Sequence, residues 1–131
     1  MNLRMKISRL FAAGVVGGFV NALLIWVMGQ TGITQAMKVQ IVPHWTVVYL
    51  YPKLVWGGIW GLIFALPFLE GSVIRRGILF SLAPTAAVLF YVLPHHLNYG
   101  MMGIRLGHLV PVFALAVNAA WGIAAAWWVR D

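Results

Sequence analysis

Four long apolar runs, separated by short polar segments, organise the chain. They cover residues 10–28, 47–69, 77–93 and 108–129. A helix of about 17–25 predominantly apolar residues is long enough to cross the hydrocarbon core of a bilayer. The pattern therefore predicts an all-α integral membrane protein, with four transmembrane helices in a single membrane domain that covers residues 1–131.

The composition supports a membrane location. Hydrophobic residues make up 63% of the chain and charged residues 8%, whereas a soluble domain carries about 25% charged residues. Too little polar surface is present to cover a water-facing exterior, so lipid must solvate most of the outside. The first run is longer than the apolar core of a usual signal peptide and no small-residue cleavage site follows it, so we expect a retained span.

The distribution of basic residues predicts the orientation. The chain has nine Lys and Arg residues against two acids, for a net charge of +7, and cytoplasmic segments of membrane proteins are enriched in Lys and Arg. The turn at residues 70–76 ends in two arginines and is therefore predicted to face the cytoplasm. The residues expected there, as topology anchors that contact anionic lipid headgroups, are Arg4, Lys6, Arg9, Arg75, Arg76 and Arg130.

Both termini are consequently predicted to be cytoplasmic. Lys38, Lys53 and Arg105 are expected on the outer side, with the Lys53 stem reaching towards the interface. The basic residues flank apolar runs and form no basic-aromatic stripe, so no nucleic-acid partner is predicted.

Two asparagines near the middle of their spans are predicted to meet. Asn21 follows Gly17 at a spacing of four in the first run, and Asn118 precedes Gly122 at the same spacing in the last. Small residues and amide side chains mark helix–helix contacts in lipid. The interpretation is an interhelical polar contact between Asn21 and Asn118; a polar step along a transport path is the alternative.

The histidines are the residues with the most chemical potential. His44, His95, His96 and His108 all fall on the predicted outer side, and neutral imidazole ligates haem iron and several metals. No ligand spacing is present, so interfacial histidines that bond water and headgroups are the simpler interpretation. A b-type haem on His108 with His44 or His95 is the alternative, with His108 at a helix end; the sequence specifies no particular metal.

No catalytic residues are predicted. Glu70 and Asp131 are the only acids, there is no cysteine, and Ser72 lacks a nucleophile-elbow context. A paired-carboxylate site, a thiol nucleophile and covalent haem attachment are therefore excluded. We predict that the chain is not an enzyme.

Two short motifs give a family resemblance. Gly14-Val-Val-Gly in the first run and Gly107-His-Leu-Val110 at the start of the last are similar to segments of the YagU-like family of small bacterial inner-membrane proteins. The resemblance implies a four-span inner-membrane protein and no defined reaction.

Three functional hypotheses remain open. The first is a non-enzymatic accessory or scaffold subunit of a larger membrane complex, with other membrane subunits or further copies of the chain as partners. Trp56 and Trp60, one helical turn apart in mid-span, are interpreted as ordinary core or lipid-facing packing; contact with a partner protein, a pigment or a lipid is the alternative. The alternatives are a haem b- or metal-binding redox protein and a small oligomeric transporter or channel.

Overall fold

The computed structural model describes residues 2–130; helices account for 78% of these residues, and no strand occurs among them. The α-helices are α1 (Leu3–Gln30), α2 (Ile33–Ala36), α3 (Val47–Gly61), α4 (Val73–Ala87) and α5 (Val110–Val129). A 3₁₀ turn, Leu62–Ala65, extends α3, and a wider π-helical stretch, Val88–His96, extends α4. A second 3₁₀ segment, Met101–Leu106, precedes α5.

Four of these helices are long and apolar enough to cross a membrane, as the sequence predicted. They are Leu3–Gln30, Val47–Ala65, Val73–His96 and Val110–Val129 within the described residues. The all-α, four-span fold class is thereby confirmed. Which face of the membrane the termini occupy stays a prediction, and Asp131 lies outside the described residues.

The helix boundaries differ from the apolar runs in both directions. The first helix begins at Leu3 instead of residue 10, because the Asn2 side chain accepts a hydrogen bond from Met5 N at 2.9 Å and caps it. The second ends at Ala65 instead of residue 69, where the chain turns extended at Leu66. The apolar character of a segment determines whether lipid or water surrounds it, whereas capping and turn geometry determine where its helix begins and ends.

The α1 helix is central to the packing. It packs against α3 on one side and α5 on another, α4 packs against α5, and α3 does not pack along α4. The contacts are made through glycines: a Cβ added at Gly57 would lie 2.7 Å from the carbonyl oxygen of Gly14, and one at Gly77 would lie 2.5 Å from the amide nitrogen of Ile123. In lipid such close backbone approach drives helix association through van der Waals contact.

The two ends of the bundle are chemically distinct. Arg9 Nη2 donates a hydrogen bond to the Val129 carbonyl oxygen at 2.9 Å, so α1 begins and α5 ends on one side. Phe64 and Phe80, with ring centroids 4.9 Å apart, bring the α3–α4 connection to the same side. We call this side the basic end. The other, which carries all four histidines, is the histidine end.

The segment between α2 and α3 folds inwards at the histidine end. Its Trp45 ring lies 5.6 Å from Trp26 and 6.0 Å from Phe19, both on α1. Gln40 N donates to the Leu106 carbonyl oxygen at 2.8 Å, and Val39 is buried. The two connections at this end therefore pack on each other and on α1.

Candidate functional site

A polar network joins three helices in the middle of the bundle. Asn21 Nδ2 donates to Asn118 Oδ1 at 3.1 Å and to the Val117 carbonyl oxygen at 2.9 Å. Asn118 Nδ2 in turn donates to Thr85 Oγ1 at 3.0 Å, and Thr85 Oγ1 donates to the Ser81 carbonyl oxygen at 2.8 Å. The two asparagines expected to meet thus lie in direct contact.

The third member of the network, Thr85, follows Pro84 on α4. It bonds the preceding turn, and it also accepts from Asn118 and so links α4 to α5. Each amide nitrogen of the network donates to an oxygen of a neighbouring helix, and Asn21 is only 5% exposed. Such mutually satisfied groups hold helices together in lipid, which favours the structural interpretation over a transport path.

A cavity of about 350 Å³ lies beside this network, towards the histidine end. Its walls come from α1, α3, α5 and the π-helical stretch. Residues of the two connections at the histidine end complete the lining. Its lining comprises Asn21, Ile25, Ile41, Lys53, Val88, Val92, Leu93, Leu97, Tyr99, Leu106, Val110, Phe113, Ala114, Val117 and Asn118. The volume falls within the ordinary range of ligand pockets, about 300–1,000 Å³, and the lining is mostly apolar.

The cavity exists because α3 and α4 do not pack along each other. Lys53 on α3 and Val88 and Val92 of the π-helical stretch line it from opposite walls. A π-helix widens the backbone spiral, and such departures from α-helical geometry occur frequently at functional sites. The pattern of apolar runs indicates neither the gap between α3 and α4 nor the π-helical stretch, so it does not predict this site.

Lys53 is the one charged side chain in the lining. Its ammonium lies 5.9 Å from the centroid of the Tyr49 ring and has no hydrogen-bond or ion-pair partner among residues 2–130. The only acid in that range, Glu70, lies in the α3–α4 turn at the basic end. Residues 2–130 therefore supply the Lys53 ammonium with no counterion.

The depth of Lys53 corrects an expectation. The sequence placed it at the outer interface, yet the Lys53 backbone lies against Gly18, at the middle of the first apolar run, and its side chain shares the cavity with Asn21. The reason is that the segment before α3 folds inwards, so that α3 begins nearer the middle of the bundle than the end of α1 at the histidine end. The Lys53 backbone consequently lies level with the middle of α1 and not with its end.

The four histidines lie away from this cavity. His44, His95, His96 and His108 are all exposed, and none lines the cavity. His108 was expected at a helix end but lies in the turn before α5, which begins at Val110. Residues 2–130 contain no group of three side chains arranged to hold a metal ion. A haem in the cavity would find no imidazole ligand there.

The predicted lipid anchors divide into two groups. Arg4, Lys6 and Arg75 are exposed at the basic end, where they are free to contact headgroups. Arg76 instead donates to the carbonyl oxygens of Phe64 at 2.8 Å and Leu66 at 3.1 Å, which the broken end of the α3 span leaves open. Its role is thus to cap the helix as well as to carry charge.

Two further anchors bind the end of the last helix. Arg9 donates to the carbonyl oxygens of Val129 and Arg130, and the Arg130 guanidinium stacks 4.7 Å from the centroid of the Trp127 ring. The two Arg9 bonds tie the first helix to the last, and the Arg130 contact is local to the end of α5. They were not predicted, because a sequence pattern gives the side of a basic residue and not its partner.

Comparison with protein-family models, with characterised proteins and with solved structures gives no match to this chain. The resemblance to the YagU-like family therefore stays a prediction. Any functional proposal has to rest on the geometry of the bundle itself, above all on the face of α3 and on the cavity at Lys53.

Proposed function

We propose that this chain is a non-enzymatic accessory subunit of a larger assembly in the cytoplasmic membrane of a bacterium, and that it docks through the outward face of α3. The observation that carries the proposal is Trp56. Its side chain is 61% exposed, and its indole N–H has no acceptor among residues 2–130.

The depth of Trp56 makes that exposure unusual. The neighbouring Gly57 contacts Gly14 and Gly18 of α1, which lie well inside the first apolar run. Tryptophan in membrane proteins is concentrated at the two interfaces, where its N–H reaches water or headgroups. In the hydrocarbon layer an indole N–H without an acceptor is costly, and a neighbouring protein chain can supply one.

The rest of α3 is equally open. In the most apolar 18-residue window of the span Val47–Ala65, 17% of residues are buried, against 44% in the corresponding windows of α1 and α5. Val48, Pro52 and Ile59 are exposed at helical spacing on the same face as Trp56. This stripe forms a continuous apolar face that the chain's other helices leave uncovered, which suits a second membrane protein or a second copy of this chain.

The experiment compares protein assemblies released from the membrane by mild detergent. Trp56→Phe keeps an aromatic ring and removes the N–H, and Trp56→Ala removes both. Leu115→Ala, on the exposed face of α5, is the matched control. We expect a stoichiometric protein partner, read by native mass spectrometry, with the wild type and the control, less with Trp56→Phe and none with Trp56→Ala.

Two results would overturn the proposal. A wild-type chain released only as a monomer would remove the assembly altogether. A partner that Trp56→Ala retains at the wild-type level would show that this face is covered by lipid alone. Neither result depends on what occupies the cavity at Lys53.

A further inference from the structure

We propose that the cavity between α1, α3, α5 and the π-helical stretch binds a single-chain amphiphile with a monoanionic head. The head pairs with the Lys53 ammonium, and the alkyl chain lies against the apolar lining. This site is separate from the outward face of α3, and the inference does not rest on the accessory-subunit proposal.

The charge of Lys53 is the first argument. Ionised groups inside a membrane protein pair with another charge or mark a ligand pathway, because an isolated charge away from water is expensive. Lys53 faces the cavity with no acid near it, and Glu70, the only described acid, is at the opposite end of the bundle. Residues 2–130 thus offer no counterion for a charged Lys53, and the cavity is the place where an external anion can bind.

The polar groups beside Lys53 are already engaged. The amide nitrogens of Asn21 and Asn118 donate to protein oxygens, as does the hydroxyl of Thr85. Of the side-chain nitrogen donors that line the cavity, the Lys53 ammonium is thus the one with no hydrogen-bond partner among residues 2–130. A ligand head placed there gains a charge-assisted hydrogen bond without breaking the network that holds the helices together.

The lining argues for an apolar tail. Val88, Val92 and Leu93 on one wall and Val110 and Phe113 on another give the cavity an aliphatic and aromatic surface. Its volume of about 350 Å³ suits one chain better than a complete two-chain lipid. Because α3 does not pack along α4, the gap between them gives such a ligand a lateral route from the bilayer.

The number of cations restricts the head group. A phosphate monoester carries about −1.5 to −2 charges at pH 7 and would leave charge uncompensated beside a single lysine. A carboxylate or a phosphodiester carries one negative charge and is matched by Lys53 alone. The fitting ligands are therefore a free fatty acid or a single-chain phospholipid whose phosphodiester head carries one net negative charge.

The test measures binding to the full chain in lipid nanodiscs. The probes are dodecanoate, the uncharged dodecanol, and a lauroyl lysophosphatidylglycerol, with the carboxyl ¹³C signal of labelled dodecanoate as the direct readout. We expect Lys53→Met to weaken dodecanoate binding about 10- to 100-fold, the loss of one charge-assisted hydrogen bond. Dodecanol binding should stay near the wild-type value.

Two further variants separate loss of the site from loss of the fold. Lys38→Met removes an exposed cation outside the cavity and should leave dodecanoate binding unchanged. Val92→Trp fills the cavity and should weaken dodecanoate and dodecanol alike, and the helical circular dichroism of all variants should match the wild type. Lys53→Arg should retain dodecanoate binding.

The remaining outcomes are decisive in either direction. Stronger binding of the lysophospholipid than of dodecanoate identifies a phosphodiester head, and the reverse identifies a carboxylate; both support the site. Unchanged dodecanoate binding in folded Lys53→Met, or no binding of either anion to the wild type, overturns the proposal.

Discussion

Replacing the two central asparagines together measures how much the polar network contributes to stability. Asn21→Leu removes two hydrogen bonds, to Val117 and Asn118, and Asn118→Leu also removes two, to Asn21 and Thr85. Interhelical polar contacts in membrane proteins average about 0.6 kcal/mol and reach about 1.7 kcal/mol. Each single substitution should therefore lower the free energy of unfolding by about 1–3 kcal/mol.

The two substitutions share one hydrogen bond, so their effects should not add. The double variant should be less destabilised than the sum of the singles by about 0.6–1.7 kcal/mol, the value of the shared contact. The assay is reversible unfolding in mixed micelles, followed by circular dichroism. Leu23→Ala and Leu115→Ala, both exposed on separate helices, form a matched control cycle whose effects should add.

Additive effects of Asn21→Leu and Asn118→Leu would refute the reasoning. They would mean that the two amides do not stabilise each other, whatever their separation. Singles that leave stability unchanged would be a second contradiction, since the groups would then serve a ligand path instead of the fold.

Two other predictions test the helix packing and the topology. Gly57→Ala should destabilise the bundle by about 1–3 kcal/mol, because the new Cβ would meet the backbone of α1 at Gly14 and Gly18. In the same unfolding assay the control Gly71→Ala, whose Cβ would have no atom nearby, should change the stability by less than about 0.5 kcal/mol. Equal effects of the two substitutions would contradict the close approach of α3 to α1. Since the chain has no cysteine, Gly71→Cys and Gln40→Cys give single thiols at opposite ends, and an impermeant thiol reagent should label position 71 only from the cytoplasmic side and position 40 only from the outer side. Labelling of both from one side would refute the four-span topology.

The sequence was sufficient for the features that depend on solvent. The four apolar runs predicted four membrane-crossing helices, because a lipid environment demands long stretches without charge. The contact of Asn21 with Asn118 was also predictable from the lipid environment. An amide at mid-membrane needs a hydrogen-bond partner, and another amide at the same depth can both donate and accept.

The features that depend on how helices are arranged could not be predicted. Lys53 looked interfacial because it follows a ragged, aromatic segment, yet the inward fold of the connection around Trp45 carries it deeper. Residues 88–93 read as the end of an ordinary apolar helix and Pro94 as the start of a loop, so the π-helical winding over Val88–His96 was not predicted. The cavity depends on both, so it appears only once α3 and α4 are seen to diverge.

The most direct test of the Lys53 site is a native mass spectrum of the protein released from its own membrane. We predict a wild-type chain that carries one small adduct, with the mass of a single-chain monoanionic amphiphile, and a folded Lys53→Met chain without it. The same adduct on both chains, or a wild-type chain with no adduct, would contradict a ligand site at Lys53.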